Sequence, residues 1–331
     1  MNINKKQQYL KVFFLNINII LVKNKTMNQI YKLLVIACIT FSCSSDVKTP
    51  LGIEGVWERT GRVIYEGGIA VDTVPPFQSS SGIVREGFQF KFYANNYYNW
   101  VGNTVNLDSL GNDKAYGNTI HGRYEIRNDS LFEYMERGSD EWFKKGGWAD
   151  NQREKKGYAT YDAKIEIGSD YYQQYRINKN GKGNGELFKR IDTYTPGSNP
   201  YVGVWERTDG YYSESPTKLI SKEDYFPSYL KEIDIYMMFT DNHYIHFMNA
   251  VRLDSLNNDI FRHRAAAVSY KINADTINYK LMGGTDNIMN SKVWKKGRSR
   301  YHKVSENKMV ISNFLENSNP FEFMRIFKSL E

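Results

Sequence analysis

Apolar and polar residues alternate with a period of two along much of this chain, the spacing of strands that bury one face. Phe88-Gln-Phe-Lys-Phe-Tyr is the clearest run. Ala94-Asn95-Asn96 interrupts it with turn-forming residues and Tyr97-Tyr98-Asn99-Trp100-Val101 returns, which predicts a β-hairpin. Gly122–Arg127 and Ser130–Glu136, divided by Asn128-Asp129, predict a second hairpin, and Tyr158–Ile167, Tyr171–Ile177 and Gly185–Ile191 predict three further strands. The polar stretch Gly61–Gly87, with Pro75-Pro76 and Ser79-Ser80-Ser81, reads as a loop or flap. Trp142–Lys156 reads as a charged, glycine-containing insertion, and no amphipathic helix is predicted in this half.

The pattern then repeats. Gly55-Val56-Trp57-Glu58-Arg59-Thr60 returns as Gly203-Val204-Trp205-Glu206-Arg207-Thr208. Lys231–Phe239, Thr240-Asp241-Asn242 and His243–Met248 replay the first hairpin, with Phe239 set opposite Phe92. Leu253–Asp259 matches Leu107–Asp113, Tyr270–Ile277 matches Tyr124–Leu131, Lys295-Lys296-Gly297 echoes Lys144-Lys145-Gly146, and Phe323–Ile326 echoes Leu187–Ile191. Ordered matches of this kind mark a duplication of a whole domain. The expected organisation is a leader over 1–42, a first domain over 51–194, a linker over 195–200 (Thr-Pro-Gly-Ser-Asn-Pro) and a second domain over 201–331. Each domain is expected to be all-β, a closed antiparallel barrel or alternatively a β-sandwich.

Charge narrows the function classes. The chain has 44 Lys and Arg against 37 Asp and Glu, but six of the lysines lie in residues 1–42, which hold no acid. The remainder is close to neutral and lacks the basic stripe that phosphate binding requires, so no nucleic-acid partner is expected. Met27-Asn-Gln-Ile-Tyr-Lys32, an apolar run from Leu33 to Phe41 and Ser42-Cys43-Ser44-Ser45 form a signal complete from Met27, which is the expected start. This segment resembles a bacterial lipoprotein signal, whose cysteine carries the lipid. Val35-Ile36-Ala37-Cys38 fits the local pattern but leaves a very short apolar core, so Cys43 is the expected lipidation site and the outer membrane of the cell envelope the expected location. An ordinary secretory signal or a membrane anchor is the alternative. The two cysteines both lie in the leader, so the body has no disulfide, thiol nucleophile or Cys-bound metal.

The Gly-x-Trp of the first strand, the meandering strands and the Arg of the last strand resemble the lipocalin-like (calycin-type) β-barrels. More narrowly, Phe-x-x-Asn-x-Tyr with Gly-x-Tyr-x-Ile-x-x-Asp-Ser-Leu is similar to lipocalin-like lipoproteins of the Bacteroidetes, most of them without assigned function. The resemblance implies that a Trp plugs the closed end of each barrel beneath a last-strand Arg, pairing Trp57 with Arg190 and Trp205 with Arg325.

Catalytic chemistry finds little support. The five histidines are read as surface or rim residues, and His243 and His246 fall on opposite faces of one strand. Glu133 and Glu136 likewise face opposite ways, and the aspartates Asp108, Asp113, Asp254 and Asp259 read as ordinary Asp/Asn turns rather than cation loops. No catalytic residue, metal or cofactor is expected. Aromatics are the better lead: Tyr98 and Trp100 share a face and are the candidate ligand-binding residues. Tyr244 is matched with Tyr97, which leaves Ile245 and Phe247 in place of Tyr98 and Trp100 and puts the ligand in the first repeat. The expected function is a lipid-anchored binding module for a small apolar or amphipathic ligand. The alternative is an interaction lipoprotein whose filled barrels meet a protein or glycan through their loops.

Overall fold

The alternating runs become strands. The computed structural model describes residues 52–76, 84–107, 113–143, 146–212, 219–220, 230–274, 276–291, 298–305, 307–312 and 324–330. The leader with Cys38 and Cys43, and the 108–112 segment with Asp108, lie outside them. In the first repeat the strands are β1 (Gly55–Glu66), β2 (Ile69–Val74), β3 (Val84–Ala94), β4 (Tyr97–Leu107), β5 (Asp113–Arg127), β6 (Ser130–Gly138), β7 (Thr160–Ile167), β8 (Tyr171–Ile177) and β9 (Gly183–Thr193). In the second they are β10 (Gly203–Tyr212), β11 (Leu219–Ile220), β12 (Leu230–Phe239), β13 (His243–Leu253), β14 (Asp259–Asn273), β15 (Thr276–Gly284), β16 (Arg298–Ser305), β17 (Lys308–Ser312) and β18 (Met324–Ser329). Among the described residues three helices join them: α1 (Asp140–Phe143) and α2 (Trp148–Lys156) between β6 and β7, and α3 (Asp286–Met289) after β15. Among the described residues no helix is long and apolar enough to cross a membrane.

Two nine-stranded antiparallel sheets result, in the orders β2-β1-β3-β4-β5-β6-β7-β8-β9 and β11-β10-β12-β13-β14-β15-β16-β17-β18. Strand β1 also bonds to β9, and β10 to β18. Only the first residues of β1, Gly55–Glu58, pair with β3; its outer half turns away to pair with β2. Hairpin turns follow the expected chemistry, with Asn95, Asn96 and Asn128 at positive φ (47°, 62° and 56°).

Two sequence expectations need correction. The Gly61–Gly87 stretch is not a loop throughout: β1 runs on to Glu66, burying Val63 and Tyr65, and Gly67-Gly68 turn it into β2. The Trp142–Lys156 insertion contains a helix, α2, stopped by Gly157 in the left-handed conformation at φ 73°. Its sequence hides it because only Ala149 is buried, so no apolar periodicity marks it.

The two repeats belong to one compact unit, residues 51–331. Phe90, Phe92 and Val101 of the first repeat share an apolar cluster with Met238, Phe247 and the partly buried Tyr236 of the second. Strand register makes these two sets equivalent: Phe90 and Tyr236 pair with Glu58 and Glu206. Each repeat therefore offers the same outer face to the other, as subunits do across a two-fold axis. The Phe88 ring packs so closely on the Gly283 backbone that a Cβ there would lie 2.5 Å from it. His121, fully buried at this seam, stacks 4.0 Å from the Tyr236 ring. Residues 195–200 are pinned rather than free: Asp241 accepts from the hydroxyls of Thr193, Thr195 and Ser198 at 2.7, 2.8 and 2.7 Å. Asp192 reciprocates, accepting from the Thr240 hydroxyl at 2.6 Å and the Asn242 amide at 2.7 Å. Burial alone would push the Asp192 carboxyl up; hydrogen bonds from His243, Thr240 and Asn242 hold it below its ordinary value.

Candidate functional site

The face of β3 that looks away from the seam carries Gln89, Lys91 and Tyr93, because side chains alternate along a strand. These polar groups point into the first repeat rather than into water, and they build a connected network. Lys91 is 3 % exposed and its ammonium lies 2.6 Å from Glu133 of β6 and 2.9 Å from Gln174 of β8. The Tyr93 hydroxyl donates to the same Glu133 oxygen at 2.5 Å. Burial first, and the Glu133 charge second, push the Tyr93 phenol well above its ordinary value, so it remains a donor. Gln174 donates to Glu186 of β9 at 2.6 Å, and Arg59 of β1 meets Glu186 at 3.0 Å and the Gln89 carbonyl at 2.8 Å. The chain of contacts thus climbs from a buried ion pair to a half-buried one.

This network forms one wall of a cavity of about 280 Å³. Its other wall is Tyr98 and Trp100 of β4, Ile120 of β5, Met135 of β6 and Trp142 of α1. Trp142 bridges Trp100 and Trp148 in edge-to-face contacts, with ring centroids 6.0 and 5.7 Å apart, so the short helices bring a tryptophan to the cavity. The Tyr98 side chain is buried, and its hydroxyl has no hydrogen-bond partner among the described residues. The structure therefore brings both candidate ligand residues, Tyr98 and Trp100, to one cavity. It also adds Lys91, Gln174, Glu186, Arg59 and Trp142, which the sequence did not single out, and Glu133, which was weighed with Glu136 and set aside.

At the other end of this interior, Trp57 is fully buried and donates its indole N–H to the Ile53 carbonyl at 2.6 Å. The Arg190 guanidinium lies 4.0 Å over the Trp57 ring. It donates to the carbonyls of Gly52, Glu54 and Ser169 at 2.9, 2.7 and 2.8 Å. A half-buried stacked arginine of this kind contributes about 1 kcal/mol. Trp205 repeats the indole bond, to the Tyr201 carbonyl at 2.7 Å. Its expected arginine does not repeat: Ser329 pairs with Trp205, whereas Arg325 pairs with Tyr211 further along β10. The position of Arg190 is thus held by Ser329, because β18 is entered in a register the sequence echo did not reveal.

The register also corrects the comparison of the two hairpins. Gly55 pairs with Tyr93 and Gly203 with Phe239, so Phe239 corresponds to Tyr93 rather than to Phe92. Tyr244, not Ile245, then corresponds to Tyr98, and His246 to Trp100. Lys91 is replaced by Met237 and Gln89 by Ile235 on β12. Pairing with Tyr124 and Tyr270 aligns Glu133 with Tyr279, and pairing along β9 and β18 aligns Gln174 with Ile311. Ile235, Met237, Tyr244, Tyr279 and Ile311 form an apolar cluster with Trp205, Phe239 and Val268.

Two of the histidines are not surface or rim residues as expected: His121 and His246 are buried. His243, 3.0 Å from Asp192, and His263 are half-buried, and the His302 side chain lies outside those described. Burial, with Arg137 and Arg123 nearby, depresses the His121 pKa to about 3. Asp254 accepts from the backbone amides of Leu256 and Asn258, both at 2.8 Å, the geometry of an Asp turn. Asp259 pairs with Lys231 at 3.0 Å. Among the described residues no cluster of three or more His, Cys, Asp or Glu is placed to hold a metal. No protein-family model matches the chain, and no curated protein shows significant similarity to it.

Proposed function

We propose that the chain is a lipid-anchored envelope protein of two lipocalin-like barrels whose first barrel binds a small amphipathic ligand without catalysis. The observation that carries this is the two-sided cavity of the first repeat, aromatic on β4 and α1 and polar on β1, β3, β8 and β9. Small-molecule sites have this make-up: apolar and aromatic lining with a few fixed polar groups. Barrel closure is supported by β1 bonding to both β3 and β9, and by the Trp57–Arg190 stack at one end. The cavity wall argues against a purely apolar ligand, which would strip the remaining water from the part-exposed Arg59 and Glu186 without replacing it. The lipid anchor at Cys43 and the outer-membrane location rest on the leader sequence.

The test is a native mass spectrum of the full chain purified from membranes in detergent. A bound mass that leaves on denaturation, and that is lost in a Trp142→Ala variant, is the expected result. A bare polypeptide mass in every preparation would remove this reading. It would favour the second one, an interaction lipoprotein, for which the exposed Ile69 and Val71 of β2 offer the contact.

A further inference from the structure

We infer that the ligand of the first repeat is an uncharged, hydroxyl-rich ring of the size of a monosaccharide. This rests on the binding role proposed above and narrows it. The first argument is charge. Among the described residues the cavity wall holds two cations, Arg59 and Lys91, and two carboxylates, Glu133 and Glu186. They are already matched, Lys91 with Glu133 and Arg59 with Glu186. A ligand of net charge would enter a balanced site beside a buried ion pair and leave one charge uncompensated, which is unfavourable. A zwitterion would have to break a pair in which Lys91 also serves Gln174 and Glu133 also serves Tyr93. Neutral hydroxyls need neither. Each is both donor and acceptor, and can use the lone pairs that carboxylates and amides keep after their internal bonds.

The second argument is the accessible polar wall. Arg59 and Glu186 line the cavity with 14 % and 26 % of their side chains accessible, and each can hydrogen-bond a hydroxyl beyond its own pair. An acyl chain could not use them; a ring hydroxyl can.

The third argument is size and surface. At about 280 Å³ the cavity is at the small end of ligand sites, with room for a ring and its substituents but not for a long chain. Trp100 and Trp142 give it the aromatic surface against which the C–H face of a sugar packs.

The experiment is a titration of the full chain followed by tryptophan fluorescence. The probes are glucose, galactose and N-acetylglucosamine, with glucuronate, glucosamine and 1-dodecanol beside them. At least one neutral sugar should shift the emission saturably, with the uronate and the amino sugar at least tenfold weaker. Trp142→Ala should weaken that sugar about tenfold, and Glu186→Gln, which takes one carboxylate from Arg59, should strengthen glucuronate relative to it. Saturation by dodecanol and by no sugar overturns this inference while leaving the binding role intact. Sugar binding that both variants leave unchanged places the site elsewhere and also overturns it. No saturable response to any probe removes both.

Discussion

The two repeats share a strand order, a buried tryptophan and the same indole-to-carbonyl bond, yet their interiors differ in kind. Where the first repeat sets Lys91, Glu133 and Gln174 around a cavity, the second sets Met237, Tyr279 and Ile311 in an apolar cluster. One chain thus contains its own control. The strand order forms without the ion pair, so the ion pair is not what the fold requires. Buried pairs are weak stabilisers in general, because removing two ions from water offsets most of their attraction. What the comparison teaches is which residues serve the architecture, Trp57 and Trp205, and which are specific to one interior.

The comparison can be broken most severely at Lys91. Lys91→Met alone leaves Glu133 buried without its cation and should cost about 3–5 kcal/mol in urea unfolding. Lys91→Met with Glu133→Tyr, the pair the second repeat uses, should recover most of that loss. If the double variant is as unstable as the single one, the ion pair is a fold requirement and the comparison fails. Next in size is acidification. His121 stays neutral in the folded protein, with its pKa near 3, whereas the unfolded chain takes up the proton below its ordinary value of 6.5. Stability should therefore fall as pH drops from 6.5 towards 3, by about 1.4 kcal/mol per pH unit. The second repeat has Ala267 at the equivalent place, so His121→Gln should flatten this slope. Asp192→Ala, which strips the acceptor from Thr240 and Asn242, should cost roughly 2–3 kcal/mol by the same denaturation. The smallest effect belongs to Glu186→Gln. Its pair with Arg59 is partly exposed, and the loss should stay within about 1 kcal/mol.

Strand positions were legible because period-two alternation and Asn-rich turns are local signals, and most hairpins fall where they were expected. The direction of the alternation was not. In Phe88–Tyr93 the phenylalanines have the look of a core face and Gln89 and Lys91 of a solvent face. The structure turns this round: Phe90 and Phe92 are covered by the other repeat, and Lys91 points inward. A single strand cannot say which of two buried faces is the interior of its own sheet. The second repeat held a hint, since Ile235 to Phe239 is apolar at consecutive positions, the mark of a strand buried on both sides. Tyr98 and Trp100 were found because their spacing places them on one face. Glu133 was missed because its partner lies 42 residues away in sequence, and pairing across β3 and β6 is a property of closure rather than of local pattern.

The pinned connector has a kinetic consequence. With residues 195–200 held by Asp241, the second repeat meets the first as a tethered partner, at an effective concentration that short linkers raise to the millimolar range. The seam therefore forms by an intramolecular collision whose rate does not change when the protein is diluted. Sparse expression would leave it intact, and contacts too weak to hold two separate chains together are sufficient to hold these.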